Sequence, residues 1–581
     1  MAKRDQPGTA KPLIRLALSA RPIAVGLLLL ATAACNDDGD MSSLGRLRQQ
    51  NAPPAISGSP KTLVRVGENY QFVPRVSDPD DESLRFEISN RPSWSRFDTS
   101  TGRLSGTPNS GDVGSTDGVR ISVTDGKTLK SLRPFTIRVD SPSTPGSPTP
   151  PPPPPPAPAG SDELMNVLTT IPSGSWVKVN RNRFDEVWTP KAQRATYNNV
   201  QVGDPRKIIT AWGSLAWDAN RRQVIIWGGG HADYAGNDVY RFDVRRLRWE
   251  RAALPSAVVK PFDDQQFFTT DGALNAPISS HTYDNLEFLP VLDRFITFGG
   301  ASYNAGKYFT RDDGITPTGP YLWDPSRAGP DMVGGKTGSQ VNPAAFPEVI
   351  GAEMWQNRDT MTSQGIGTRR PGSFVNGTSA YVFEDDVESL LVSASPATGG
   401  DLFRYRISSL NDPARDEWQL VGVGSRSYAD QGAGAYDPRS RLYLRTARFG
   451  GAYGIVMWNT TTPGPSNQPI RFTPRDANGS PVITNRHGMD FDPIRRVFVL
   501  WDGGDVVWYL SPPAEGPKFS QDGWTMTRAL QIGPGRPDLH MLTGILGKWK
   551  YIAGYDVMLG VGDGNEGQVW VYKPADWEPS T

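Results

Sequence analysis

The chain has 581 residues, with 61 basic and 61 acidic side chains and so no formal net charge. That balance excludes the basic excess expected of a nucleic-acid-binding protein. The one cysteine, Cys35, excludes an intrachain disulfide and any thiolate cluster for zinc or iron–sulfur, while 61 Gly, 52 Pro and 17 Trp favour many short strands and turns over long helices.

The first segment, 1–34, reads as a processing signal. Lys3, Arg4, Lys11, Arg15 and Arg21 precede an apolar run of 12 residues at 23–34, short of the ~20 needed to span a bilayer. The run ends in Ala31-Thr32-Ala33-Ala34-Cys35, which resembles the lipobox of bacterial lipoproteins. The resemblance implies that Cys35 becomes the lipidated N-terminus, anchored in the cell envelope. Thr32 departs from the pattern, and a secretory signal with an incidental free cysteine is the alternative. Residues 35–50 are a polar tether. Asn36, where retained lipoproteins usually carry Asp, points to the outer membrane.

Over 51–140 the pattern alternates with period two. Leu84-Arg85-Phe86-Glu87-Ile88, Val119-Arg120-Ile121-Ser122-Val123 and Phe135-Thr136-Ile137-Arg138-Val139 each put apolar side chains on one face, with turn signals between them. A β-sandwich is expected. The residues Ser77-Asp78-Pro79-Asp80, Leu104-Ser105-Gly106-Thr107-Pro108 and Val123-Thr124-Asp125-Gly126 are similar to the Ig-like, or cadherin-like, repeats of bacterial surface proteins. This implies a spacer or adhesion module. Asp78, Asp80 and Asp125 offer oxygen ligands of the kind calcium takes, and the same acids equally serve as turn formers. Residues 141–160 form a linker that holds seven consecutive prolines at 150–156, a semi-rigid polyproline strut.

From 161 to 581 one phrase recurs: an aromatic, usually Asp, a short turn with Arg, then an apolar strand. It begins at Trp217, Phe288, Phe383, Tyr436, Phe491 and Tyr555, with spacings of 71, 95, 53, 55 and 64 residues. Diglycines end two second strands (Gly228-Gly229 and Gly299-Gly300), and aromatic third strands follow, as at Val239-Tyr240-Arg241-Phe242. The region resembles the kelch, galactose-oxidase-like class of β-propellers. The expected fold is therefore all-β, an Ig-like sandwich joined by the proline linker to a six-bladed kelch-type propeller. Seven blades stay open if the 95-residue gap hides one. The last blade is expected to borrow an outer strand from 173–179.

The chain has four histidines. His281 and His487 enter inner strands, and His231 follows the Gly228-Gly229-Gly230 run, so the three are expected on one rim with Tyr234, Tyr283 and Arg486. Asp233 and Asn237 are candidate ligand-binding groups beside them, and His540 precedes the last blade. Copper-radical chemistry of the galactose-oxidase kind is excluded, because no cysteine is available for its Tyr–Cys cross-link. Two functions remain. The first is a tethered propeller binding a glycan or another envelope ligand through this His/Tyr/Arg face. The alternative is a polysaccharide lyase: His or Tyr takes the proton beside a uronate carboxylate, Arg486 neutralises that carboxylate, and Tyr234 or Tyr283 protonates the leaving oxygen. A scaffold for partner proteins would instead have an unpatterned rim.

Overall fold

The computed structural model describes residues 51–140 and 162–579, apart from 52, 59, 79–82, 133, 198–199, 261–266, 304–307, 337–340, 362–370, 397–398, 425–430, 450, 515, 517, 534 and 540. The leader, Cys35, the tether, the proline linker and His540 lie outside the described residues. The chain divides at residue 150 into two compact, β-rich units.

In the first unit, period-two alternation produces what it predicts. One sheet orders Leu63–Arg65, Phe135–Asp140, Gly114–Thr124 and Arg85–Ser89; a second orders Tyr70–Phe72, Leu104–Gly106 and Ser95–Phe97. Val119, Ile121 and Val123, on one face of the long strand, are buried with Tyr70, Phe86, Leu104 and Ile137. Gly106 is needed where it stands, since a Cβ there would lie 2.6 Å from the Trp94 carbonyl oxygen.

Among the described residues the second unit contains five four-stranded antiparallel sheets and one of five strands, four of them antiparallel with a short parallel strand on the edge. Sheet I comprises Ala216–Asp218, Gln223–Ile226, Val239–Asp243 and Arg248–Ala253. Sheet II comprises Leu286–Leu289, Arg294–Thr297, Tyr321–Trp323 and Trp355–Asn357. Sheet III comprises Thr378–Glu384, Val387–Ser393, Leu402–Arg406 and Glu417–Gly422. Sheet IV comprises Gly434–Asp437, Leu442–Phe449, Ala452–Asn459 and Ile470–Phe472. Sheet V comprises Gly488–Asp492, Val497–Trp501, Val507–Ser511 and Thr525–Arg528, with Arg475–Asp476 added on its edge. Sheet VI comprises Trp549–Ile552, Val557–Gly562 and Gln568–Lys573, and takes its fourth strand, Ser175–Lys178, from the start of the unit. Among the described residues the long gap after Phe288 holds the loops and outer strands of sheet II and no further four-stranded sheet.

The second strands of sheets I and V are buried along their whole length, which is why Val224–Ile226 and Val497–Trp501 read as unbroken apolar runs. Six apolar clusters lie between successive sheets: I with II, II with III, III with IV, IV with V, V with VI, and VI with I. The first strands are neighbours in the same order, and that of sheet VI also touches that of sheet I.

The recurrent Asp and Arg have a physical role. Asp218 accepts from the Arg221 amide at 3.0 Å, closing the first hairpin turn of sheet I, and the Arg221 guanidinium reaches Asp293 in the matching turn of sheet II at 2.6 and 2.7 Å. Asp492 closes its own turn likewise, and Arg495 grips Asp556 of sheet VI at 2.7 Å through both terminal nitrogens. The opposite ends of the first strands are reached through tight entry turns. In five of the six sheets these hold a non-glycine residue at positive φ: Trp212 (48°), Tyr283 (50°), Asn376 (59°), Arg486 (55°) and Leu546 (52°). Such conformations cost about 1–3 kcal/mol and persist only where the surroundings impose them.

Candidate functional site

The glycines after the second strand of sheet I decide where His231 goes. Gly230 packs so tightly on sheet II's entry turn that a Cβ would sit 2.3 Å from the His281 nitrogen. The amides of His231 and His281 then donate to the same carbonyl, that of Ala301, at 3.0 and 2.8 Å. Their rings come to 5.7 Å between centroids, with Tyr283 6.0 Å and Trp212 4.8 Å from His281. His231 is itself at φ 45° and is exposed, whereas His281 is buried.

Asp233 organises this cluster. Its Oδ2 lies 3.0 Å from His281 Nε2 and its Oδ1 2.5 Å from Lys207 Nζ. A carboxylate only accepts, so Nε2 carries the His281 proton and the lone pair of the neutral ring is on Nδ1. Burial pushes the Asp233 carboxyl up, but the hydrogen bonds from His281 and Lys207 outweigh it and hold it at about 2. Burial lowers the His281 pKa, against the opposing pull of Asp233, and favours the neutral imidazole. Burial raises the Tyr283 hydroxyl, which makes no hydrogen bond to any described residue.

The expected rim is brought together only in part. His487 is buried, and its Nδ1 lies 3.1 Å from the Asn485 carbonyl instead of joining the other imidazoles. Tyr234 is fully buried and its hydroxyl donates to Asp238 at 2.8 Å, in a closed network with Tyr240 and Thr189; a phenol so held is part of the core. Asn237 is structural, accepting from the Ser256 amide at 2.8 Å and donating to the Pro277 carbonyl at 3.0 Å. Asp233 holds side chains of this chain instead of standing open to a ligand. Arg486 borders the cluster through residues 541–547: it donates to the Leu542 carbonyl, its own carbonyl accepts from Ile545, and Gly547 donates to the Tyr283 carbonyl. Thr543 meets the Thr210 carbonyl at 2.8 Å, on the short helix Arg206–Thr210 that carries Lys207.

Lys207 and Trp212 were not found by sequence reasoning. Both precede the first repeat, where no motif marks them. Also unmarked is a buried ionic group on and beside the first strands. Lys550 lies 3.3 Å from Glu287 and 3.6 Å from Asp284, and Asp490 accepts from the Tyr551 amide at 2.7 Å. Burial raises Asp284 to about 7 and lowers nearby Lys548, bound to the Gly213 and Gly544 carbonyls, to about 7. A groove of about 410 Å³ lies elsewhere, on the outer strand of sheet II, and its Arg294 is spent on Asp324 at 2.9 Å. Among the described residues no group of three or more His, Cys, Asp or Glu side chains is arranged to hold a metal, and no helix is long and apolar enough to cross a membrane.

Residues 53–140 match the family model described as "Putative Ig domain". The N-terminal unit is an Ig-like domain. Within this Ig-like domain the Asp125 carboxylate is taken up by Asn51, Lys127 and Thr128, at 2.6–2.9 Å, and so serves as a turn former instead of standing open to calcium. Asp78 is half-buried and Asp80 lies outside the described residues. No curated protein matches the chain. Among solved structures it is similar to a "putative alpha-galactosidase" from Bacteroides fragilis NCTC 9343 at 17% identity and a TM-score of 0.14, over 16% of this chain and 18% of that one. The chain thus spans less than a fifth of that protein's length. It is similar at 9% identity and a TM-score of 0.33 to an auxiliary nutrient binding protein from Bacteroides ovatus ATCC 8483, over 88% and 95% of the two chains. A "putative phosphatase" from Bacteroides thetaiotaomicron VPI-5482 is similar at 10% identity and 0.34, over 91% and 98%.

Proposed function

We propose that the second unit is a six-bladed kelch-type β-propeller, carried on the outer membrane by a lipid on Cys35, whose His231–His281–Tyr283 face binds a glycan. The propeller reading is supported by the six apolar clusters that return from sheet VI to sheet I, and by the strand Ser175–Lys178 that completes the last sheet. At the start of the unit, Asp162 accepts from Arg222 and Tyr555, both in hairpin turns, at 2.9 and 2.6 Å.

The observation that carries glycan binding is the grouping of Trp212, exposed His231 and the Tyr283 hydroxyl around His281. Aromatic faces with a few uncommitted polar groups suit a sugar ring. The test is a glycan panel probed with the full mature chain and with His231→Ala and Tyr283→Phe. A ligand whose affinity falls in both variants, with unchanged melting, is the expected result; no bound glycan, or unaffected variants, overturns the reading. Loss of lipid labelling in Cys35→Ser tests the anchor.

A second reading, β-elimination on uronate polymers, is favoured by one feature, the carboxylate-held neutral imidazole. His281 Nδ1 would take the proton and Tyr283 would return one to the leaving oxygen. Ultraviolet absorbance from unsaturated uronate, abolished in His281→Ala, is expected on this reading; its absence across the same panel removes it.

A further inference from the structure

We infer that Lys207 is a positioning residue for the ligand face: through Asp233 it keeps the His281 ring uncharged and in one tautomer, so that the face holds its ligand as pH falls; this rests on the glycan-binding reading above. The inference starts from how firmly Lys207 is presented. Its helix, Arg206–Thr210, buries Ile208 and Ile209 between sheets VI and I. Thr543 donates to the Thr210 carbonyl at 2.8 Å, and Gly564 packs so closely that a Cβ would lie 2.7 Å from the Arg206 carbonyl oxygen. Asp233 is held as tightly. Its amide donates to the Gly230 carbonyl at 2.9 Å, Ala235 donates to the Val202 carbonyl at 3.0 Å, and a Cβ on Gly203 would lie 1.9 Å from the Asp233 carbonyl oxygen. The Lys207 ammonium at 2.5 Å and the His281 ring at 3.0 Å thus meet the two oxygens of a carboxylate whose place is set by the backbone.

Charge decides what this chain of contacts does. The titratable and charged groups that face the His281 ring among the described residues are Asp233 and His231 from the loop after Gly230, Lys207 from the helix and Tyr283 from its own turn, with uncharged Trp212 at 4.8 Å. A carboxylate whose only partner is an imidazole draws a proton onto the ring and forms an ion pair with it. Lys207 supplies that positive charge instead. Burial first, then His231 and Lys207, oppose an imidazolium at His281 and outweigh the pull of Asp233. His281 is buried and stands behind exposed His231, 5.7 Å away, so a charge on it would lie against the group that the ligand meets. Without Lys207, the Asp233 carboxylate would be answered by His281 alone.

The test is a magnetic-resonance titration of the four histidine rings of the full mature chain, with ring nitrogen shifts reporting which nitrogen carries the proton. It is run on the native protein and on Lys207→Met, Lys207→Arg and Asp233→Asn, with His281 assigned by the signal lost in His281→Gln. In the native chain the neutral ring should carry its proton on Nε2. Lys207→Met should raise the His281 midpoint by about one pH unit, Lys207→Arg should restore it, and Asp233→Asn should lower it. Loss of fold would not give the two opposite signs. Calorimetric titration with dextran and oligogalacturonate oligosaccharides of matched length, one neutral and one acidic, reads the consequence. Native and Lys207→Met affinities should agree at pH 8, and at mildly acidic pH the variant should be weaker by up to about tenfold, the limit that a one-unit shift allows. An unmoved His281 midpoint in Lys207→Met, or an affinity lost equally at both pH values, overturns the positioning role. If no sugar on the wider panel binds, the glycan reading falls, and the ring titration still decides what Lys207 does.

Discussion

If the six sheets close on themselves, Trp176 is the residue that locks the closure. It lies on Ser175–Lys178, the strand added to sheet VI from the start of the unit, and packs on Trp501, Trp549 and Tyr572 with centroids at 5.3, 5.7 and 5.3 Å. Its side chain bridges sheets V and VI in one apolar cluster. Trp176→Ala removes a buried aromatic and should cost about 3–5 kcal/mol. Spread over an unfolding entropy of about 2.1 cal/mol/K per residue for roughly 420 residues, about 0.9 kcal/mol/K, this lowers the melting temperature by about 3–6 °C. Trp176→Phe should lose much less, because Trp176 Nε1 is buried without a partner and the change removes that group too. Leu542→Ala is the control, at 91% exposure, and should stay within about 0.5 kcal/mol. Calorimetry reads all three. A drop for Trp176→Ala no larger than for Leu542→Ala would refute the idea that this strand holds the unit shut.

Sheets II and III are joined by an ion pair with no exposed surface: Arg358 meets Asp416 at 2.8 Å through both Nε and Nη2, and Tyr405 donates to the same carboxylate at 2.5 Å. Asp416→Asn should cost about 3–5 kcal/mol in denaturant titration, while the double change Arg358→Met with Asp416→Leu recovers most of it, since removing both charges also removes their desolvation penalty. Just before the first strand of sheet II, burial raises Asp284 to about 7. A carboxyl whose folded pKa exceeds its unfolded value of ~3.9 contributes stability that is complete below pH ~4 and is lost as pH climbs toward 7. Asp284→Asn should therefore flatten the fall in stability over that range, measured as the urea midpoint at pH 4.5 and 7.5; equal slopes in both proteins would refute it. Lys548, lowered to about 7, acts in the opposite sense above that pH, and Lys548→Met should remove a gain in stability between pH 7 and 10.

The six hairpins were legible because their signal is local. Asp437 accepting from the Arg439 amide at 3.0 Å, or Asp492 from those of Ile494 and Arg495 at 2.9 Å, is a contact within a few residues, and the same Asp leaves a readable spacing in the chain. Arg221 and Arg495 then extend the local turn to the next sheet, so the repeat records packing as well as turning. The meeting of His231 and His281 was legible for a related reason: tightly packed glycine brings one loop against the next entry turn. The directions of side chains around that meeting point were not. Tyr234 sits three residues from His231, yet its hydroxyl answers to Asp238, which is itself bound by Thr189 from far upstream. His487 follows an Arg at positive φ, and that turn delivers its ring to the Asn485 carbonyl. Lys207 left no trace because a five-residue helix outside the repeats carries it. It nevertheless decides what the site is. By filling the second oxygen of Asp233, Lys207 cancels the one negative charge in the cluster, converting what reads in sequence as an open acidic ligand group into a support for His281.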